Sequence, residues 1–348
     1  MSRVVGVDPG TISIDVCGLD AGELFLDRSI PTAEALADPA GFVALLRGES
    51  PPDLIAGPSG YGLPLVPAAS ATEDDLRLAF LAPPGEEGGI GGLRRLARVL
   101  ARSELPVVYT PGAIHLDTVP AHRKINRVDL GTADKVATAA LGIATQSERL
   151  GCGPDGTAFI LLELGGAFTA ALAVQGGQVV DGVGGSSGPM GWRSAGAWDG
   201  EVAYLAGTVT KDLLFTGGAR FVAERAGDGP QVALAAFVES AVKAVRVLLV
   251  ATPAPHEILL SGRALDEPGV EDRLRAELAS VAPLRRLQGF ARVAKNAAQG
   301  AAILADGLAG GRWAALVETM RIRSAGGTAL DHLFVISPAE ARRRLGLG

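Results

Sequence analysis

The feature that most constrains the fold of this chain is a glycine-containing hairpin pattern that occurs twice. Asp8-Pro9-Gly10-Thr11 follows a short apolar run, and Gly22 closes the hairpin fourteen positions after Asp8. Glu163-Leu164-Gly165-Gly166 follows a second apolar run, and Gly177 closes that hairpin, again fourteen positions after its carboxylate. A repeated unit of this kind predicts two related lobes, each of which begins with a β-hairpin.

The length of the chain supports two lobes. Its 348 residues exceed the size of most single domains, and 48% hydrophobic with 20% charged residues is the composition of a folded protein. We divide the chain into an N-terminal lobe, 1–147, and a C-terminal lobe with a helical tail, 148–348. Apolar periodicity predicts the order β-β-β-α-β in the first lobe, with one helix from about Ala33 to Leu46.

Charge, cysteine content and hydropathy exclude several classes of partner. The 32 basic and 38 acidic side chains give a net charge of −6 without a basic stripe, so we expect no nucleic-acid partner. Cys17 and Cys152 have neither disulfide-scaffold nor metal-ligand spacing. No signal peptide and no uninterrupted apolar segment of about 20 residues is found, so we expect a cytoplasmic protein without membrane contact.

Both repeated turns have the chemistry to hold phosphate. Free backbone N–H groups at a turn bind anions, and glycine lets phosphate oxygens approach closely. Asp8 and Glu163 end the two buried strands, where a carboxylate can hold Mg²⁺ together with phosphate oxygens. A single turn of this kind fits an ordinary hairpin equally well, but the repeat favours function. The predicted phosphate ligands are Gly10, Thr11, Gly165, Gly166 and Thr169.

A glycine turn after a later strand predicts where the rest of a nucleotide binds. Ile258-Leu259-Leu260 runs into Ser261-Gly262-Arg263, and an adenine ring can lie against bare backbone at the end of such a strand. Gly262 and Arg263 are therefore candidates for the adenosine end, with an ordinary βα loop as the alternative. Asn296 is a further candidate, although the small residues of its helix favour close helix packing.

The order of these segments resembles the signature of the acetate and sugar kinase, heat-shock chaperone and actin superfamily. The resemblance implies an α/β actin-like ATPase fold, in which a βββαβαβα unit is duplicated to give two ribonuclease H-like lobes that enclose a nucleotide cleft. It also implies ATP and Mg²⁺ as cofactors and a small-molecule acceptor as substrate. The two phosphate motifs, the adenosine motif and the two connecting helices resemble Val4–Leu19, Phe159–Gly185, Glu257–Leu265, Leu130–Ile143 and Lys295–Gly307.

Within this superfamily the chain is most similar to carboxylate kinases, in particular to a family described as predicted butyrate kinases. In acyl-phosphate-forming relatives, an aspartate and arginines between the phosphate motifs orient the carboxylate and stabilise the transferring phosphoryl group. The resemblance thus implies catalytic roles for Asp117 and Arg123, near Lys124 and Arg127, and for Asp8. A solvated loop is the alternative for the stretch around Asp117.

Three positions depart from the carboxylate kinase pattern. Asp8 stands where those kinases commonly have asparagine, and Glu163 stands where they often have histidine. Lys295-Asn296-Ala297 lies near the position of a usual glutamate. These changes weaken butyrate as the substrate more than they weaken ATP binding.

Functions from different classes follow from this pattern. The first is an ATP-dependent phosphotransferase that moves the γ-phosphoryl group to a carboxylate, as in a butyrate kinase, or to a hydroxyl. The second is a nucleotide-dependent switch or scaffold that binds a protein partner, and an ATPase or acyl transferase is a third. Turnover that depends on an acceptor separates the kinase from the others. For the basic tail from Leu316 to Gly348, packing across the lobes, a homodimer contact and a solvated face all stay open.

Overall fold

The first half of the chain forms a six-stranded mixed sheet, and helices follow its strands. This computed structural model describes residues 2–10, 12–57, 60–83, 85, 91–225 and 227–347, with the backbone alone at 91–93. The sheet order is β3-β2-β1-β4-β6-β5, in which β1, β4 and β6 are parallel. The strands are β1 (Arg3–Pro9), β2 (Ser13–Asp20), β3 (Glu23–Pro31), β4 (Leu54–Gly57), β5 (Val66–Pro67) and β6 (Val107–Tyr109). The helices are α1 (Thr32–Ala37), α2 (Pro39–Arg47), α3 (Glu73–Phe80), α4 (Gly91–Ala101), α5 (Ala121–Lys124) and α6 (Ala133–Leu150).

The second half repeats this plan with a five-stranded sheet. The sheet order is β11-β10-β7-β8-β9, in which β7, β10 and β11 are parallel. The strands are β7 (Ala158–Leu164), β8 (Thr169–Gln175), β9 (Gln178–Val183), β10 (Glu257–Ser261) and β11 (Leu284–Arg286). The helices are α7 (Gly200–Ala206), α8 (Ala219–Arg225), α9 (Gly229–Leu248), α10 (Val270–Leu278), α11 (Asn296–Leu308), α12 (Ala314–Thr319) and α13 (Pro338–Arg344). Short 3₁₀ helices lie at 68–70, 113–115, 154–156, 212–215, 263–266 and 322–324.

The duplication predicted from the hairpins is present in the backbone in detail. The first three strands of each sheet form an antiparallel meander. Each meander has a register irregularity between its second and third strands, at Gly18/Leu19 and at Ala173/Val174. The hairpin turns also correspond, because 21–22 and 176–177 all have positive φ. A bulge and a turn at equivalent positions are features of a repeated unit.

Three buried layers hold the two sheets and their helices together. The central layer lies between the sheets and consists mainly of α6 and α11, with Val4 and Leu19 on one side and Phe159 and Leu161 on the other. Val5 and Val7 point the opposite way, into the outer core of the first sheet. Ile160, Leu162 and the buried face of α9 form the outer core of the second. The alternation along β1 and β7 is that of strands buried on both faces.

Small residues bring the two central helices into close contact, as their sequence predicts. A Cβ on Gly300 of α11 would lie 1.8 Å from the carbonyl oxygen of Ala137 in α6. A Cβ on Gly6 of β1 would lie 2.2 Å from the amide nitrogen of Ala302. Helix α11 therefore touches α6 and the first sheet with no room for a side chain at either glycine.

The single helix predicted from Ala33 to Leu46 is wrong, because the structure divides it into α1 and α2. Proline at position 39 cannot donate a backbone hydrogen bond and opposes helical geometry in the residue before it. Asp38 is the residue between the two helices, and its carboxylate accepts a hydrogen bond from the Gly41 amide at 2.9 Å. The proline is thus the first residue of α2 rather than an interior residue of a longer helix.

The C-terminal tail packs against the first lobe. Leu330, Ala341 and Leu347 are buried in the outer core of the first sheet. The carbonyl of Gly346 accepts a hydrogen bond from Arg77 at 2.7 Å. These contacts place the end of the tail against the N-terminal lobe. The division of the chain into 1–147 and 148–348 stays a prediction.

A buried histidine makes stability depend on pH. His115 is only 3% exposed, and burial lowers its pKa to about 4. The folded state thus binds fewer protons than the unfolded state between pH 6.5 and 4, so acidification through that range destabilises the fold. Between pH 7 and 5.5 we expect a loss of about 1 kcal/mol in unfolding free energy from this residue. Urea titrations at several pH values measure this loss. The unfolding free energy of His115→Gln should fall less than that of the wild type between pH 7 and 5.5, and an equal fall in the two proteins would contradict the role of His115.

Candidate functional site

The two repeated turns adopt the same local structure. The Gly10 amide donates to the Ser13 carbonyl at 2.9 Å, and the Gly165 amide donates to the Phe168 carbonyl at 2.9 Å. A Cβ on either glycine would lie 2.8 Å from that same carbonyl oxygen. The backbone of both turns is therefore closed in a way that only glycine allows, which keeps the tip free of side chains.

Both turns line one cleft of about 570 Å³. This volume lies within the range of small-molecule sites. Its lining brings together residues from β1, β7, β10, the start of α6 and the start of α11. Of the residues that the sequence predicted for the site, those in the lining are Asp8, Gly10, Glu163, Gly165, Gly166, Gly262, Arg263 and Asn296.

Three predicted site residues lie away from this lining. Asp117 pairs with Arg321 of the C-terminal tail at 2.5 Å. Arg123 lies 3.5 Å from Asp181 and donates to the carbonyl of residue 180 at 2.7 Å. Thr169 is fully buried in β8, behind the turn. These contacts satisfy the charges of Asp117 and Arg123 outside the cleft, and their catalytic roles stay predictions without support from this geometry. Thr11 lies outside the described residues.

Two lysines that the sequence analysis did not select carry positive charge into the cleft. Lys135, near the start of α6, has its ammonium 2.5 Å from Asp134 and 3.0 Å from Glu163. Lys295 precedes α11, and its ammonium donates to Ser13 and Asp15, each at 2.6 Å. The sequence does contain a signal for Lys135. Gly131-Thr132 predicts a turn, and the helix that follows has Asp134 and Lys135 side by side in its first turn.

The ionisable groups of the cleft strongly perturb one another. Burial, and then the negative charge of Asp134, raise the pKa of Asp8 to about 7 against the lowering effect of the lysines. Burial also raises the pKa of Glu163, although Lys135 opposes it. Burial alone would lower the pKa of Lys135, but the two carboxylates beside it raise the value above the ordinary range. Perturbed carboxyl and ammonium groups concentrated in a cleft are a mark of functional sites.

The burial and raised pKa of Asp8 fit a carboxylate that binds a cation. A buried carboxyl that keeps its proton to near neutral pH gains most when a metal ion replaces that proton. Among the described residues no three carboxylate, histidine or cysteine side chains converge as a protein-only metal site. The arrangement fits Mg²⁺ that completes its shell with phosphate oxygens and water. Asp8 and Asp134 line the cleft as its candidate ligands. Glu163, also predicted as a metal ligand, stays a prediction, and both it and Asp134 pair with Lys135.

The end of β10 and the start of α11 form a second part of the cleft. Gly262 has φ of +96°, and a Cβ there would lie 2.3 Å from the carbonyl oxygen of Leu164. The side chain of Arg263 lies over the second turn, since a Cβ on Gly166 would be 2.2 Å from its Nε. Asn296 donates to the Ser261 hydroxyl at 3.1 Å. This part has the bare backbone that a flat ring requires.

A further set of lining residues combines a cation with polar and aromatic groups. Arg193 lines the cleft with an exposed side chain, and its guanidinium has no partner in the described chain. Asp129 is buried and accepts hydrogen bonds from the amides of Gly131 and Ser186, each at 3.0 Å. The aromatic side chains of the lining are Tyr61, Phe80, Phe168 and Phe215, of which the last two stack edge to face at 4.9 Å.

Comparison with known sequences and structures gives the relatives of this arrangement. Residues 6–335 match the sequence profile of a family described as "Protein of unknown function (DUF1464)". No curated protein matches the chain in sequence. In the described residues, none of the helices has the length and apolar character needed to cross a bilayer.

Solved structures with the same fold include three carboxylate kinases. A propionate kinase from Francisella tularensis subsp. tularensis SCHU S4 has a TM-score of 0.59 at 14% identity, over 86% of this chain and 99% of that one. An acetate kinase from Porphyromonas gingivalis has a TM-score of 0.56 at 13% identity, over 81% and 88%. An acetate kinase from Entamoeba histolytica has a TM-score of 0.56 at 11% identity, over 80% and 87%.

These likenesses confirm the predicted fold. The chain has the two-lobe actin-like ATPase fold of these acetate and propionate kinases. At these identities the likeness concerns the fold and not the reaction. The narrower resemblance to predicted butyrate kinases stays a prediction.

Proposed function

We infer that this chain, which belongs to the DUF1464 family, is an ATP-dependent kinase that phosphorylates a small-molecule acceptor. The observation that carries the inference is the pair of identically closed glycine turns that face one cleft together with Lys135 and Lys295. Phosphoryl transfer needs positioned amides and cations around the transferring group and little covalent chemistry from the protein. The cleft has these groups.

Each part of the cleft receives a role in this proposal. Gly10, Gly165 and Gly166 keep the two turns free of side chains, so that phosphates can approach their backbone closely, and Lys135 and Lys295 face the charge that develops during transfer. When bound, Mg²⁺ neutralises phosphate oxygens beside Asp8 and Asp134. The adenosine end lies along the strand end and helix start, with its lining residues Ser261, Gly262, Arg263 and Asn296.

The acceptor side favours a carboxylate. Arg193 is a cation without a partner in the described chain, and a guanidinium suits a carboxylate in bidentate geometry. A hydroxyl acceptor would need a general base. Asp129 is a poor base, because amides and the Ser186 hydroxyl already donate to its oxygens. A carboxylate oxygen attacks the γ-phosphorus directly as the bond to the β–γ bridging oxygen breaks, so acyl phosphate and ADP are formed.

Acceptor-dependent release of ADP tests this proposal. We expect MgATP to be hydrolysed slowly alone and faster with one or more short-chain carboxylates, and sugars and polyols serve as the hydroxyl arm. Asp8→Ala should lower the stimulated rate by about 100- to 1,000-fold, as loss of one positioned charge does. Asp20→Ala is the matched control, since Asp20 lies at the other end of the same hairpin and pairs with Arg3 on the surface. Tight ATP binding without stimulation by any acceptor would contradict the kinase.

One observation favours the alternative of a nucleotide-dependent switch. Helix α7 has no buried residue, and Tyr204 and Leu205 are about four-fifths exposed. Exposed apolar side chains of this size are typical of protein contacts. If no acceptor stimulates turnover, this helix is the surface where a protein partner should be sought.

A further inference from the structure

We propose that the chain has a second ligand site, a cavity of about 600 Å³ that binds a small molecule with two or more negative charges. The cavity lies at the opposite end of α6 from the cleft. Thr132, Asp134 and Lys135 at the start of the helix line the cleft, whereas Gln146 and Arg149 near its end line this cavity. Along α6, Thr138 is the last residue that lines the cleft and Thr145 is the first that lines this cavity, about 10 Å further on at 1.5 Å per residue. The two linings share no residue, so the sites are distinct.

The charge of this cavity is opposite to that of the protein as a whole. The lining contains four arginines from three elements, while the chain carries a net charge of −6. Two carboxylates, Glu257 and Glu271, are the acidic groups in the lining. Asp266, which lines the cleft, pairs with Arg286 of the cavity at 2.8 Å, and positive charge remains in excess even when Asp266 is counted. The arginines are Arg149, Arg275, Arg285 and Arg286.

The acidic groups hold the arginines in place without using all their donors. Glu257 is 2% exposed and contacts Arg149, and it contacts Arg285 at 3.1 Å. Gln146 donates to the same carboxylate at 2.6 Å. Within the described chain these contacts occupy one nitrogen of Arg149 and one of Arg285. Each guanidinium carries five N–H donors, so most of them stay available to a ligand.

The second acidic group organises the other pair of arginines. Glu271 accepts from Arg275 at 2.5 Å and from Arg286 at 2.6 Å. All four arginine side chains are 40–56% exposed. Because every guanidinium nitrogen of Arg275 and Arg286 already contacts a partner in the chain, the donors open to a ligand are mainly those of Arg149 and Arg285. Arginines that are positioned by buried or half-buried carboxylates lose less freedom on binding than free surface arginines do.

The shape and chemistry of the cavity indicate the class of ligand. Its volume is that of a metabolite site. Guanidinium groups bind phosphate and carboxylate in bidentate fashion, and several of them suit a molecule with more than one such group. The ligand therefore carries more than one anionic group, and it is either a phosphorylated compound or a polycarboxylate.

Calorimetric titration with inorganic pyrophosphate and with citrate tests the site and distinguishes the two sources. Titrations without nucleotide or divalent cation, at constant ionic strength, keep the result independent of the proposed kinase reaction. We expect one probe to bind, and Arg285→Gln to weaken binding by about tenfold or more, as loss of a charged hydrogen-bonding partner does. Arg220→Gln is the matched control, because Arg220 is an exposed arginine on α8 with one carboxylate partner.

Two further variants make the outcome decisive. Lys295→Gln removes an ammonium from the cleft and should leave binding of the probe within about twofold if the cavity is the site. If Arg285→Gln fails to fold, Arg286→Gln takes its place. Glu271 keeps Arg275 as a partner when Arg286 is removed, so this variant leaves no carboxylate unpaired at Glu271. Lack of binding by both probes would overturn the proposal. So would binding that survives the arginine changes and is lost in Lys295→Gln.

Discussion

Replacement of Lys135 by methionine is expected to lower acceptor-stimulated ADP release by about 100- to 1,000-fold, because one positioned cation at the phosphates is lost. The same change leaves Asp134 and Glu163 without the ammonium between them. Removing one partner of a fully buried pair costs about 3–5 kcal/mol, and we expect roughly 2–3 kcal/mol here because the side chain is partly exposed. Assays of ADP release measure the loss of activity, and urea unfolding measures the loss of stability.

A double variant separates charge from packing in this prediction. Lys135→Met/Glu163→Gln removes the second carboxylate as well, so the unfolding free energy should recover by about half while activity stays low. Lys243→Met is the control, since Lys243 is 72% exposed and pairs with Glu239 one helical turn away. If Lys135→Met keeps both wild-type activity and wild-type stability, the ammonium has no role in the cleft.

Substitution of Gly300 by alanine is expected to destabilise the whole protein. Its Cβ would lie 1.8 Å from the backbone oxygen of Ala137, so α6 and α11 must move apart. Both helices lie in the central core, between the two sheets, and neither can shift without disturbing a sheet. Overpacking costs about 1–3 kcal/mol where side chains can adjust, and we expect about 3 kcal/mol here because backbone meets backbone. Thermal unfolding and soluble yield report the effect.

Gly200→Ala is the matched control for that prediction. Gly200 is the first residue of α7, and a Cβ there meets no atom within 4 Å. Alanine gains helix propensity over glycine, so the variant should be neutral or slightly more stable. A wild-type unfolding temperature for Gly300→Ala would show that the two helices have more freedom than their contact suggests.

The sequence predicted the repeated hairpins because their signals are local. Glycine at a turn, a carboxylate at a strand end and a short continuous apolar run all act within a few residues. The short elements β5, β11, α7, α12 and α13, of two to seven residues, were not predicted. Segments of this length show too little periodicity, and contacts with distant parts of the chain stabilise them.

The site was predicted in part for the same reason. Asp8 and the two glycine turns belong to local motifs, whereas Lys135 and Lys295 approach the phosphate turns only because α6 and α11 pack between the sheets. The resemblance placed Asp117 and Arg123 at the acceptor side. In the structure, distant partners, the tail residue Arg321 and the β9 residue Asp181, take up their charges. Neither partner is close in sequence to the residue with which it pairs.

The tail that returns to the first lobe affects how the chain can fold during synthesis. Residues Leu330, Ala341 and Leu347 belong to the outer core of the first sheet, yet the ribosome makes them after the whole second sheet and the helices from α7 to α12. The first lobe therefore leaves the exit tunnel with part of its apolar surface uncovered, while domains commonly fold from the N-terminus as they emerge. Holding chaperones should be needed over that interval, and a chain stalled before residue 330 should stay sensitive to proteases in its first lobe.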